Sequence, residues 1–521
     1  MKTLKSKKWA HSAGIGRWSA ILLMAAGMQT LVLPPLQAAA PKKEITDNGI
    51  TAAVERELRL EKGVAPDLID VSTSRGIVTL SGSADNLLAK ERAVKIAESI
   101  RGVRGVIDRT SVTLVSRPDE DIRKDIMTAL LQDPATASYQ VAVSVQNAVA
   151  TLSGSVGSYA EKQLAARIAK GVKGVKELRN EVTINYLAKR TDPEIAADIK
   201  ARLQWDIWIN GGQINPVVKD GNVTLTGTVG SALSHSRAFE DAWVNGVTSV
   251  DASGLKVDPN SRQDARRQFE YTISSDSEIK QAVLAALRLD PRVTVFTPEV
   301  TVEDGVVILG GEVGNAKAKT AADQDARGIV GVWRVDNLLK VRLKVWPSDA
   351  EMQIQLKAAL AWDPLLDSST IDVAVINRTA YLSGAVDSSF QKAEAQDVAS
   401  RIKGVALVRN HLKVEPEFTI FNYDWPYYYS YYDWPYYNGS PGYFSETFGP
   451  QPCLSDEQIK KNIENAFFWS PFVHSDDITV SVDGGVATLT GTVGTWIGYE
   501  EADKDAHKGG ATAVRDRLKV K

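Results

Sequence analysis

Five histidines, one cysteine and a few adjacent acid pairs are the side chains of this 521-residue chain suited to hold metals, attack substrates or move protons. A metal site or catalytic dyad needs such groups at short, defined spacing. His11, His235, His411, His474 and His507 are scattered, and no two stand at ligand spacing. Cys453 has no second cysteine, so it supports no intramolecular disulfide, redox pair or metal cluster. His411 falls in a strand-like stretch, at a place held by Leu338 and Glu181 in related stretches, and Asp476-Asp477 reads as a turn. There is no nucleophile elbow, no phosphate-binding glycine loop and no histidine pair on a helix. The chain is expected to be no enzyme and to need no cofactor.

Binding chemistry is better represented. A glycine closes a recurring apolar-Leu-Ser/Thr-Gly phrase at Gly82, Gly154, Gly227, Gly384 and Gly491, and closes Leu309-Gly310-Gly311 in a sixth copy. A second glycine follows at Gly157, Gly230, Gly314 and Gly494, while Asp85 and Asp387 stand there in the other copies. An anion could rest on the free N–H groups of a helix start beside such a loop, but nothing basic recurs there. The structural reading is a tight strand-to-helix turn at positive φ, with a short polar residue capping the helix. The Gly-x-x-Gly loop that clamps nucleic acid joins two helices and carries cations. This one follows a strand and carries none, so no nucleic-acid partner is expected.

Cations cluster elsewhere: Arg101, Arg104 and Arg109, then Lys170, Lys173, Lys176 and Arg179, then Arg327, Arg334, Lys340 and Arg342. Near a membrane surface each is worth about 1 kcal/mol against anionic headgroups. Arg101, Arg104, Lys170, Lys173 and Lys176 are therefore candidate lipid contacts. The alternative is a solvated face with favourable charge at a helix C-terminus. An aromatic segment over 415–454 repeats Tyr-Asp-Trp-Pro-Tyr-Tyr and offers Trp425, Tyr427, Tyr428, Trp434, Tyr436 and Tyr437 as a candidate surface. Packing onto neighbours, a membrane interface and stacking on a partner remain open for it.

These residues need elements to position them. The glycines are spaced by 72, 73, 84, 73 and 107 residues, which predicts six copies of one unit with insertions. In the fourth copy Ile279, Ala282, Val283, Ala286 and Leu287 mark one helix face, and Asp276 and Glu278 in its first turn suit the helix dipole. Asp133-Pro134, Asp290-Pro291, Asp363-Pro364 and Ser470-Pro471 are expected to stop that helix. Two β-branched runs around Asp304-Gly305, and around Asp483-Gly484-Gly485, predict a hairpin. A second helix follows, closed by Gly174, Gly331 or Gly404 at its C-terminus. A third strand then alternates around Asn180, Asn337 or Asn410. The fold class is α+β: a tandem array of six small two-layer α/β sandwiches, each helix-strand-strand-helix-strand.

The start of the chain differs. Lys2, Lys5, Lys7, Lys8 and Arg17 form a basic head, Trp18 to Leu33 an apolar run, and Ala38, Ala39 and Ala40 a small-residue end. That is the pattern of a signal peptide over 1–38, cleaved after Ala38 or Ala40. An uncleaved anchor is the alternative, although the run is short of the roughly 20 residues a spanning helix wants and contains Gln29. No cysteine stands near the cleavage region, which rules out a lipoprotein anchor. The formal net charge is −3 and 44% of residues are apolar, ample for several cores.

The order of elements and the single phrase glycine resemble the BON domain, named for bacterial OsmY and nodulation proteins. The first copy carries it in Gly76-Ile77-Val78-Thr79-Leu80-Ser81-Gly82 with Ala93, Ile96, Ala97 and Gly102-Val103. Copies are read at 45–115, 119–187, 192–258, 276–343, 348–414 and 455–521. The third diverges, with Asp206-Ile207, Gly211-Gly212 and Ala252 at key places. The resemblance, to multi-BON periplasmic proteins similar to the OsmY family, implies a periplasmic or membrane-associated setting and osmotic-stress protection. It also implies chaperone-like holding of outer-membrane proteins, phospholipid contact or transport-channel accessory roles, without catalysis. Envelope phospholipid or outer-membrane and periplasmic proteins are the expected partners. A structural scaffold or secretion accessory is the alternative function.

Overall fold

Each unit opens with a helix of 14 residues: Asp47–Leu60, Asp119–Gln132, Asp192–Trp205, Asp276–Leu289, Asp349–Trp362 and Asp456–Trp469. Thr191, Ser275 and Ser348 start theirs with capping boxes to Glu194, Glu278 and Glu351. The helices end at Asp133, Asp206, Asp290, Asp363 and Ser470, all in extended geometry. The four helices expected to stop before a proline do so, but proline is not required, because Asp206 ends its helix without one. At each stop the side chain accepts a hydrogen bond from the backbone N–H two residues on, as in Ala135 to Asp133 at 2.8 Å and Trp208 to Asp206 at 2.7 Å.

A hairpin follows, with two-residue loops whose central residues both have positive φ. In the sixth unit the loop is Gly484-Gly485, and Asp483 lies in the strand, paired with Val486. The third strand runs parallel to the second, so the second strand is central in every unit. The third unit carries a bulge between Asp251 and Gly254, the irregularity its divergent sequence foreshadowed.

The phrase glycines are not in a turn. Gly82, Gly154, Gly227, Gly384 and Gly491 lie inside the second strand, which continues two residues further. Their φ values run from 101° to 130°. A Cβ on Gly154 would stand 2.0 Å from the Gln140 carbonyl oxygen. Close approach of the neighbouring strand, not a strand-to-helix turn, therefore demands glycine. The helix caps are the residues after the second glycine position: Asn86, Ser158, Ser231, Asn315 and Thr495. Gly174, Gly331 and Gly404 likewise fall a few residues past helices that end at Lys170, Arg327 and Arg401.

The helices cover one face of each sheet. In the fourth unit Ile279, Val283 and Leu287 of the first helix meet Val307, Leu309 and Val313 of the sheet. Ala318, Ala321, Ala322 and Ala326 form the buried side of the second helix, whose small residues let it lie close. The computed structural model describes residues 44–520 except 61–62, 114–115, 187, 210–212, 260–274, 295–297, 344, 387–388, 415–453, 471 and 474. The signal-peptide reading and the aromatic residues Trp425, Tyr427, Tyr428, Trp434, Tyr436 and Tyr437 lie outside the described residues. The described residues from Ile45 onward form one compact unit.

Candidate functional site

The loop after the second helix is where most of the sequence-flagged cations sit, and it is an inter-unit joint. The N–H groups of Arg101, Lys173 and Val330 occupy equivalent places, one residue before Gly102, Gly174 and Gly331. They donate to the carbonyls of Trp469, Trp362 and Trp205 at 3.1, 2.7 and 3.0 Å. Those three tryptophans are each the last residue of a first helix. Each indole packs with the core of the partner unit. These bonds join unit 1 with 6, 2 with 5 and 3 with 4, and other backbone bonds tie unit 3 to 1 (Ala232 N–H to the Val103 carbonyl, 3.2 Å) and unit 4 to 5 (Ala316 N–H to the Val405 carbonyl, 3.0 Å).

This arrangement uses up part of the expected headgroup patch. The Arg101 guanidinium lies 5.2 Å from the Phe468 ring centroid, and burial lowers its pKa. The Lys173 amine reaches the Leu366 carbonyl at 3.5 Å, and Lys170 pairs with Glu91 of the first unit. Arg104 and Lys176 remain exposed, on two different units. The structure therefore does not bring the five candidates together as one open surface.

The outer sheet faces offer a better one. Alternate residues of each strand point away from the helices, and the hydroxyls of the Leu-Ser/Thr-Gly phrase are among them. In the sixth unit Thr488, Thr490 and Thr492 lie in register with Arg515, Arg517 and Lys519 on one side. Ser481 and Thr479 face Thr488 and Thr490 on the other. The three cations are exposed and follow one another at every second residue, about 7 Å apart. Asp483, at the far corner, is the only acid among these outward positions. This row lies beyond the clusters picked out from sequence; its signal was the Arg-x-Arg-x-Lys alternation of a half-exposed strand.

A match to the BON domain family model covers residues 46–113, 118–186, 191–259, 275–342, 348–416 and 455–521. The chain belongs to the BON-domain family. It is 34% identical to the Osmotically-inducible protein Y of Escherichia coli (strain K12) over 143 residues, 26% of this chain and 71% of that protein. Two solved structures of CdsD, a structural protein of the Type III secretion system of Chlamydia trachomatis, also match. The C-terminal-domain structure is 15% identical, covering 44% of this chain and 100% of that one, at a TM-score of 0.12. The other is 14% identical, covering 42% and 97%, at 0.11. Scores this low carry no argument.

Where the BON units meet, buried acids gather. Burial pushes Asp363 up to about 7, helped by Glu394, and pushes Asp505 up to about 7 against the pull of Lys508. Asp241 is raised by burial despite Arg202, 2.8 Å away, with Asp206 beside it. A cavity of about 1650 Å³ opens between the second, third, fourth and sixth units, lined by Tyr159, Trp243, Arg202, Arg237 and Asp241 among others. Several of its charges are paired, as Arg237 is with Asp206 at 2.7 Å and Arg202 with Asp241 at 2.8 Å. Among the described residues no group of three acids, histidines or cysteines is placed to hold a metal. No described helix is long and apolar enough to cross a membrane.

Proposed function

We propose that this BON-family chain is a non-catalytic protein of the bacterial envelope that binds anionic phospholipid headgroups and protects against osmotic stress. The 34% identical relative, Osmotically-inducible protein Y, supports the stress setting. The observation that carries the ligand is the outer face of the sixth unit, where Arg515, Arg517 and Lys519 stand exposed over a carpet of threonine and serine hydroxyls. Guanidinium, ammonium and hydroxyl groups all donate to phosphate oxygens. The basic, apolar and small-residue start of the chain supports delivery to the periplasm, a compartment bounded by phospholipid.

Three cations at about 1 kcal/mol each amount to roughly a hundredfold in affinity. Replacing Arg515, Arg517 and Lys519 together by glutamine is expected to weaken binding to phosphatidylglycerol-containing vesicles by about that factor, measured by co-sedimentation at low salt. The Lys170/Lys173/Lys176 triple substitution is expected to weaken it much less, because only Lys176 is exposed. Equal losses in the two triples, or none in the first, would contradict the assignment.

A further inference from the structure

The outer face of the fifth unit differs from its sisters at the same places. Where units 1, 2, 3 and 6 hold Thr79, Thr151, Thr224 and Thr488, and unit 4 the aliphatic Ile308, it holds Tyr381. Ile376 and Leu407 flank Thr379 on either side in the register, and Ala374 lies beside Tyr381. Ile376, Tyr381 and Leu407 are 56%, 37% and 44% exposed. Large apolar groups placed together on an exposed sheet face mark an interaction site.

The border of this strip is basic. Arg409, His411 and Lys413 follow Leu407 at alternate positions along the third strand, all exposed. At the hairpin end Arg378 lies 3.7 Å from the Trp346 ring centroid. Asp372 is the one acid among the outward positions of these strands. An apolar strip with a cationic border complements a partner with apolar and acidic groups in alternation. The third strand is also the edge of its sheet, so an extended chain could lie alongside it.

We propose that the outer face of the fifth unit binds an extended polypeptide segment in which apolar and acidic residues alternate. The site is separate from the headgroup face of the sixth unit and stands whether or not that face binds lipid. Tyr381 and Leu407 supply the apolar floor, and Arg409 and Lys413 meet the acidic side chains. A membrane surface is the less suitable occupant, because the floor is a narrow strip rather than a broad cationic field.

The test uses the full chain and a fluorescent eight-residue peptide of alternating valine and glutamate, followed by anisotropy. The comparison variant is Ile376→Gln, Tyr381→Thr and Leu407→Ser, which copies Gln146, Thr151 and Ser249 from the same places in sister units and so suits the fold. Binding is expected to fall at least tenfold in this variant, to weaken in 0.5 M salt, and to persist in the Arg515/Arg517/Lys519 variant. Absence of binding to the unaltered chain, equal binding of a valine–lysine peptide, or unchanged binding in the triple variant would overturn the proposal. So would a homodimer that the triple substitution dissociates, or binding gained only on deleting 415–453, since either result gives the face to this chain itself.

Discussion

Asp119 and its five counterparts at the helix starts do more than complement a dipole. Each carboxylate accepts the two backbone N–H groups of a hairpin loop 28 and 29 residues further on, at 2.7 to 3.1 Å. That clasp holds loop residues in the left-handed region, including Ala148 at φ 61° and Arg378 at 64°. A side chain there costs about 1–2 kcal/mol relative to glycine. Ala148→Gly is therefore expected to raise the thermal midpoint, by about 1 kcal/mol of stability, with the Asp119 bonds unchanged; a lower midpoint would show that the loop is not strained. The aspartates were visible in the sequence as acidic first turns, but their partners were not. A local dipole accounts for an acid at a helix start as well as a long-range clasp does, and only the fold separates the two.

Elements were the most legible scale. Helix faces, hairpins and the closing strand each follow from local periodicity, and the spacing of Gly82 through Gly491 set the count of units. The joints between units were hidden, although their anchors were in view. Trp205, Trp362 and Trp469 precede the same helix stop in three units, where the others have Leu60, Gln132 and Leu289. Periodicity reports which side of a helix is buried, not which distant unit receives its last side chain. Truncating a large buried aromatic costs about 3–5 kcal/mol. Trp469→Ala is expected to speed hydrogen exchange in both the first and sixth units while leaving the pair of second and fifth protected. Faster exchange confined to the sixth unit would contradict the joint.

At the scale of the whole molecule, the buried acids between units make stability depend on pH. An aspartate unfolds to a pKa of about 3.9. Asp505, raised to about 7 among Lys508, Glu57, Glu501 and Ser470, therefore keeps a proton in the folded chain that it loses on unfolding at neutral pH. Its contribution is full below about pH 4 and is lost as pH rises through about 7. Asp363 acts in the same direction between Glu394, Asp397 and Arg401. The thermal midpoint of Asp505→Asn is expected to fall less than that of the unaltered chain between pH 5 and pH 8. An equal or steeper fall would show that Asp505 does not hold its proton.

The packing of the six units against one another decides which faces are closed inside joints and which are left for ligands. Its most direct measure is the contact between the two ends of the array, where Lys508 of the sixth unit pairs with Glu57 of the first at 3.2 Å. A zero-length carbodiimide couples such a pair into an amide, readable by mass spectrometry of the monomer. A Lys508–Glu57 link between the sixth and first units is expected, accompanied by a Lys170–Glu91 link between the second and first. Links confined to residues within single units, as a row of independent beads would give, would contradict it.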